Sequence, residues 1–290
     1  DTACPHDGEA QSGAWSVGHG AIIARSRVRV NGAEVDGGSS CSEGDGERMV
    51  RAMKATLKDI EKAAQLVYAH MPPTPQINWP LLGRRTGADV WVKHENHTPI
   101  GAFKVRGGLV LMDWLRRAHP DVRGVITATR GNHGQSIAFA AKRLGVTATI
   151  VVPHGNNPEK NAAIKALGAE LVEHGRDFDV ASEHAAELAD ARGIYRLPSF
   201  GASLVSGVAT YALEFLRAVP DLHTVYVPIG LGSGICGMIS ARDALGLKTR
   251  IIGVVAEEAA AYAKSFLAKK GVETESADTL ADGMAVRVPN

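Results

Sequence analysis

From Thr56 onward, apolar and polar positions follow two alternating periods. Ile60, Ala63, Ala64, Val67 and Tyr68 keep helical spacing, and Thr56 with Asp59 three residues on makes a capping-box pattern ahead of them. Pro72 and Pro73 predict the end of that helix. Beyond it, short apolar runs at 90–93, 125–129, 146–152, 169–173, 224–228 and 250–255 read as strands. Between them, 105–117, 133–144, 159–167, 178–191, 207–218 and 238–245 read as helices, with Gly145 as a C-terminal stop. Strands that are apolar throughout, separated by helices, predict an α/β protein with more than one doubly wound parallel sheet.

Residues 1–52 break this pattern. They are rich in Gly, Ser and Asp, and the run from Asp36 to Gly46 has too little apolar surface to offset its chain entropy. They are expected to be a disordered leader or extension, with domain sequence starting near Met53. The chain has 290 residues, 45% hydrophobic and 22% charged, with a net charge of +1. Acids and bases are interspersed, which argues against a nucleic-acid or anionic-membrane surface. No apolar run approaches the ~20 residues of a membrane helix. Cys4, Cys41 and Cys236 have neither metal nor disulfide-framework spacing. With no signal-peptide pattern, the cytoplasm is the expected location.

Three stretches carry candidate chemistry. His94 to Gly108 joins a strand to a helix and holds Lys104, preceded by Phe103; a lysine there can form a Schiff base if its surroundings lower its pKa, or can be a solvated surface lysine. His94 and His97 lack a third ligand and read as ordinary hydrogen-bonding histidines. Thr129-Arg-Gly-Asn-His-Gly-Gln135 leaves a strand end and enters a helix, where successive N–H groups suit a carboxylate and Asn132 suits a ring hydroxyl. The third stretch, Val227 to Gly237, contains Gly232, Gly234 and Gly237 in G-x-G-x-x-G spacing, with Glu257 about 20 residues on. That loop alone fits either a dinucleotide or a single phosphate.

Taken together, these stretches resemble the fold type II pyridoxal 5′-phosphate enzymes, in particular the threonine/serine dehydratase and serine racemase branch. Gly101-Ala-Phe-Lys-Val-Arg-Gly107 is similar to that family's S-F-K-x-R-G stretch, Thr129 to Gln135 to its S-x-G-N-H-x-Q loop, and Pro228 to Gly234 to its P-x-G-G-G-G loop. Thr279-Leu-Ala-Asp-Gly-Met-Ala-Val-Arg287 is similar to a T-x-A-D-G-x-A-V stretch. The resemblance implies two α/β domains of the tryptophan synthase β-like kind. The larger would combine 53–118 with 204–290 and the smaller would span 119–203.

It also implies pyridoxal phosphate as cofactor, held by Lys104 through a Schiff base, by Phe103 beside the ring, by Asn132 at the ring hydroxyl, and by Gly230, Leu231, Gly232, Ser233 and Gly234 at the phosphate. Thr129, Arg130, Gly131, Asn132 and His133 would bind the substrate, and no metal is assigned. The implied reaction is a dehydratase or ammonia-lyase conversion of a 3-hydroxy amino acid, threonine or serine by default, to a 2-oxo acid and ammonia. Phenylserine or 3-hydroxyaspartate is the alternative substrate, and an NAD(P)-binding oxidoreductase the alternative class. A homodimer is the expected assembly.

The sequence departs from the family pattern at several points. Thr129 stands for a serine, and Leu231 and Ser233 stand for glycines. Arg130 stands where a small residue is usual, and its permanently charged guanidinium is a poor proton acceptor, which weighs against racemisation. No S-G-G-N-like stretch follows Gly283, so the chain is expected to be a C-terminally truncated member with weakened cofactor binding.

Overall fold

The structure, a computed structural model, describes residues 55–289; the expected leader lies outside them. Helix α1 (Leu57–Tyr68) opens with the full capping box: Thr56 Oγ1 accepts from the Asp59 amide while the Asp59 carboxylate accepts from the Thr56 amide. The helix closes at Ala69, before the prolines. A short antiparallel pair follows, β1 (Gln76–Asn78) and β2 (Trp91–Lys93), joined through α2 (Pro80–Thr86). Sequence periodicity did not reveal β1 or α2, because elements of three and seven residues are too short to display a period.

A four-stranded parallel sheet forms the middle of the chain. Its strands are β3 (Gly124–Ala128), β4 (Thr147–Val152), β5 (Glu170–Glu173) and β6 (Tyr195–Arg196), in the spatial order β5-β4-β3-β6. Every residue of β3 is buried, as expected for a central parallel strand. Val125 and Ile150 face one side, where they pack with Ile137 and Phe139 of α4 (Asn132–Leu144) and Ile164 of α5 (Pro158–Ala166). Ile126 and Val151 face the other, against Ala181, Ala185 and Ala189 of α6 (Phe178–Arg192). Helices thus cover both faces.

The remaining elements surround α7 (Ala202–Ala218). Its buried Val208, Ala212 and Leu216 pack with Ile60 of α1, with Met238 of α8 (Ser233–Ala244), and with Val225 and Val227 of β7 (Thr224–Pro228). β7 pairs in parallel with β8 (Arg250–Val254), and α9 (Ala261–Ala268) follows. Among the described residues this second sheet has only two strands. The β1–β2 pair is separate from it, so outside the four-stranded sheet the described residues carry two small sheets rather than one wide one.

α3 (Lys104–Ala118) joins the two halves. It crosses α7 backbone to backbone: a Cβ on Gly207 would lie 2.4 Å from the Arg106 carbonyl oxygen and 2.8 Å from Gly107 Cα. No rotamer change relieves a clash with main chain. Gly207→Ala is therefore expected to destabilise the fold by about 1–3 kcal/mol, read as a lower urea midpoint at unchanged slope. The same close packing fixes where α3 begins, and with it the position of Lys104.

Candidate active site

Three helix N-termini converge where β3 and β7 end, the edge of a parallel sheet at which ligands gather. None of α3, α4 or α8 is capped by the side chain of its N-cap residue. Their first-turn amides lack intrahelical acceptors and present partial positive charge.

Lys104 is the first residue of α3. Its Nζ lies 5.3 Å from the centroid of the Phe103 ring. The side chain keeps some solvent access yet has protein closely around it, as expected at the floor of a cleft. This burial lowers its pKa to about 8. The Lys104 carbonyl accepts a 2.6 Å hydrogen bond from Ser136 Oγ on α4, so the lysine is tied to the neighbouring loop through its backbone.

The loop from Thr129 to His133 connects β3 to α4. Thr129 is buried, and its Oγ1 accepts from the amides of Gly131 (2.9 Å) and Gly134 (3.3 Å); the hydroxyl shapes the turn from within. Gly131 has φ 152°, a conformation that side chains rarely adopt. His133 is buried, with its pKa pushed down to about 3, first by burial and then by the nearby Lys104 charge. The imidazole is therefore neutral at physiological pH. The Pro198 carbonyl accepts from it, while Nε2 has no partner. Arg130 is partly buried, and its buried Nε also lacks a partner.

The loop at 230–234 forms the third wall. α8 starts at Ser233, five residues before the expected start, so the glycine loop and the helix N-terminus are one feature. Gly232 is left-handed at φ 97°. A Cβ on Gly234 would come within 3.4 Å of the Phe103 ring, which brings the Lys104 turn against this loop. Tyr211 Oη donates to the Gly234 carbonyl (3.0 Å) and Tyr262 Oη to the Leu231 carbonyl (3.2 Å). The two tyrosines thus tie the loop's backbone to α7 and α9. Neither tyrosine was singled out from sequence, since an isolated tyrosine reads only as core.

The segment carrying Asp282 and Gly283 comes across the top. A Cβ on Gly230 would lie 2.5 Å from the Gly283 carbonyl oxygen, and one on Gly283 would lie 4.0 Å from Asn132 Nδ2. The four sequence stretches singled out above are thus brought together. Glu257, by contrast, is an exposed residue opening a 3₁₀ turn (Glu257–Ala259) and makes no part of the cleft. His94 Nε2 accepts from the Trp79 indole at 3.1 Å, which gives it an ordinary structural bond.

The lowered lysine pKa, the uncapped glycine-rich helix start and the unpartnered His133 Nε2 fit a ligand with a carbonyl and a phosphate. A family model described as "Pyridoxal-phosphate dependent enzyme" matches residues 67–290. A threonine dehydratase of Nicotiana attenuata is 36% identical over 228 residues, covering 78% of this chain and 38% of that protein. An L-threonine ammonia-lyase of Geobacter sulfurreducens is 37% identical over 233 residues, covering 79% and 57%. Among solved structures, the processed form of threonine deaminase isoform 2 from Solanum lycopersicum superposes with a TM-score of 0.74 at 32% identity, over 85% of this chain and 70% of that one. Maize serine racemase gives 0.76 at 26% identity, over 82% and 72%. The chain spans less than two thirds of the length of these curated relatives.

Proposed function

The chain belongs to the pyridoxal-phosphate dependent enzymes, and from that premise we propose that it is a carbon–oxygen lyase converting a 3-hydroxy amino acid, threonine by default, to a 2-oxo acid and ammonia. The reading gains further support from relatives called threonine dehydratase and threonine ammonia-lyase. The observation that carries it is Lys104: an amine with a pKa near 8, on an uncapped helix start, packed through Phe103 against a glycine cradle.

Pyridoxal phosphate, when bound, supplies a carbonyl for the amine and an electron sink for the Cα carbanion. Lys104 would hold it, with Phe103 along the ring, Asn132 at the ring hydroxyl and the amides of residues 230–234 at the phosphate. Tyr211 and Tyr262, by bonding two carbonyls of that loop, would hold its backbone in place for the phosphate. The backbone of Thr129 to His133 would take the substrate carboxylate. The Lys104 Nζ, when neutral, would take the Cα proton of the substrate, its pKa matched to the working pH. Water leaves with the 3-hydroxyl and is regained when ammonia departs. Residues 119–203 would move as the smaller unit against 53–118 plus 204–290, closing the cleft against bulk water. A homodimer in the cytoplasm completes the proposal; among the described residues no helix is long and apolar enough to cross a membrane.

The test is release of 2-oxo acid across threonine, serine, phenylserine and 3-hydroxyaspartate. Product from none of them, by protein that carries the cofactor, would reject the lyase reading. Arg130 decides the ranking in this proposal: its guanidinium lies in the substrate loop and its Nε lacks a partner. Arg130→Ala is expected to change the order of the four substrates by about tenfold in relative kcat/KM. A uniform loss would leave the arginine only a structural part.

A further inference from the structure

The stretch from Lys270 to Pro289 contains no buried residue, and Leu280 is fully exposed. Only half-buried apolar residues, such as Met284 and Val286, contribute packing to this stretch. Yet Gly283 sits against both Gly230 and Asn132, from the two loops that line opposite walls of the cleft. A polar contact fixes it there as well. Lys160 of α5 does so: its Nζ donates to Asp282 Oδ1 at 2.5 Å, with side-chain exposures of only 10% and 26%. A lysine this buried gives up rotamer freedom and hydration, which a surface ion pair would not repay. Its stem is also engaged. A Cβ on Gly131 would lie 2.3 Å from Lys160 Cδ, so the lysine runs directly across the glycine of the substrate loop before reaching Asp282. A second, more exposed pair, Arg287 with Asp179 at 2.8 Å, ties the outer end of the segment to α6.

We infer that Lys160 and Asp282 are positioning residues: their ion pair holds residues 279–287 down as the fourth wall of the cleft and so keeps the Gly131–Asn132 loop and the Gly230–Gly234 loop in register. The inference rests on reading the cleft as the cofactor site. One side chain then senses all three parts. Its stem covers the substrate loop, its ammonium binds the wall, and the wall touches the cradle. Loss of the pair frees the wall without opening the hydrophobic core.

Hydrogen exchange of the 279–287 amides gives a readout independent of turnover. Asp282→Asn keeps the shape and removes the charge. Lys160→Met keeps an unbranched stem over Gly131 and removes the ammonium. Each variant is expected to exchange about tenfold faster across 279–287, the loss of one charge-assisted hydrogen bond, and to raise the Kd of pyridoxal phosphate and the KM of the amino acid with little change in thermal midpoint. The double variant should exchange no faster than either single, because both changes break one contact. Unchanged exchange in both singles, or additive effects in the double, would overturn the inference. Lys104→Ala run alongside separates the two readings: if it leaves pyridoxal phosphate affinity intact, the cofactor-site reading fails. The exchange result still judges the wall by itself.

Discussion

Lys104→Ala is expected to abolish turnover of every 3-hydroxy amino acid and to remove the covalent, borohydride-reducible attachment of pyridoxal phosphate. The helix starts and loops around it do not depend on its amine, so the fold should survive and the cofactor should still bind weakly through the cradle. The same residue predicts a pH dependence. Burial holds the amine near pKa 8, below the ordinary lysine value of 10.5. Only the neutral amine attacks a carbonyl. Attachment of added cofactor to the free protein should thus rise tenfold per pH unit below about 8 and level off above it. The stability of the cofactor-free protein follows by linkage. Between the folded and unfolded pKa values the unfolded chain binds more protons, so stability increases as pH rises from about 8 toward 10.5, and the cost of burying the charge is fully present below about 8. A Lys104→Met variant should lose this slope. An attachment rate that is flat through pH 8, or a reducible adduct persisting in Lys104→Ala, would move the Schiff base to another residue.

Much of this site was legible in the sequence because its parts are local. A helix start next to a strand end needs only a few residues, and 101–107, 129–135 and 228–234 each carry their own glycine and strand signals. The edges were less legible. The expected helix at 238–245 begins at Ser233, since glycine-rich sequence gives no periodicity even where the backbone is helical. The helix expected from 207 begins at Ala202 for a similar reason, with small residues leading it. Strand β6 has two residues, and its place beside β3 is a matter of topology, not composition. Support from distant residues could not be read at all. Tyr211, Tyr262 and Ser136 act on carbonyls far away in sequence. Lys160 and Asp282 are separated by more than a hundred residues; Asp282 lies in the quoted 279–287 stretch, but nothing in the sequence pairs it with Lys160.

The buried arginine two residues past Lys104 was also hidden, although it lies inside a stretch quoted for its lysine. Arg106 is completely buried. Its Nε donates to Glu95 at 2.7 Å, its Nη1 to Glu214 at 2.5 Å and to Thr210 at 3.0 Å, and its Nη2 to Glu95 and Glu214 at 3.0 Å each. Lys93 adds a 2.5 Å bond to Glu214 and Tyr68 a 2.9 Å bond. The first turn of α3, the turn that carries Glu95, and α7 meet on this one guanidinium, while Lys93 of β2 and Tyr68 of α1 join the network through Glu214. Burial alone would raise the Glu214 pKa, but bonds from Arg106 and Lys93 outweigh it and leave the carboxyl below its ordinary value. Arg106→Leu removes the cation and strands the Glu95 carboxylate away from water. It is expected to destabilise the fold by about 3–5 kcal/mol at neutral pH, a fall of about 10 °C in melting temperature for a chain of this size. The sign of the pH dependence identifies the cause. In the native protein Glu214 contributes stability that is present above its unfolded pKa near 4.5 and is lost as pH falls through its lower folded value. In Arg106→Leu that contribution is reduced to what Lys93 still supplies, so the gap between the two proteins should be widest at neutral pH and should narrow in acid. A double change, Arg106→Leu with Glu95→Gln, removes the carboxylate left without a cation while Glu214 keeps Lys93, and should recover part of the loss at pH 7. If the deficit of Arg106→Leu is constant from pH 7 to pH 4, packing and not charge accounts for it. If the variant is as stable as the native chain, the network is not what sets α3, and the position of Lys104 rests on the glycine crossing with α7 alone.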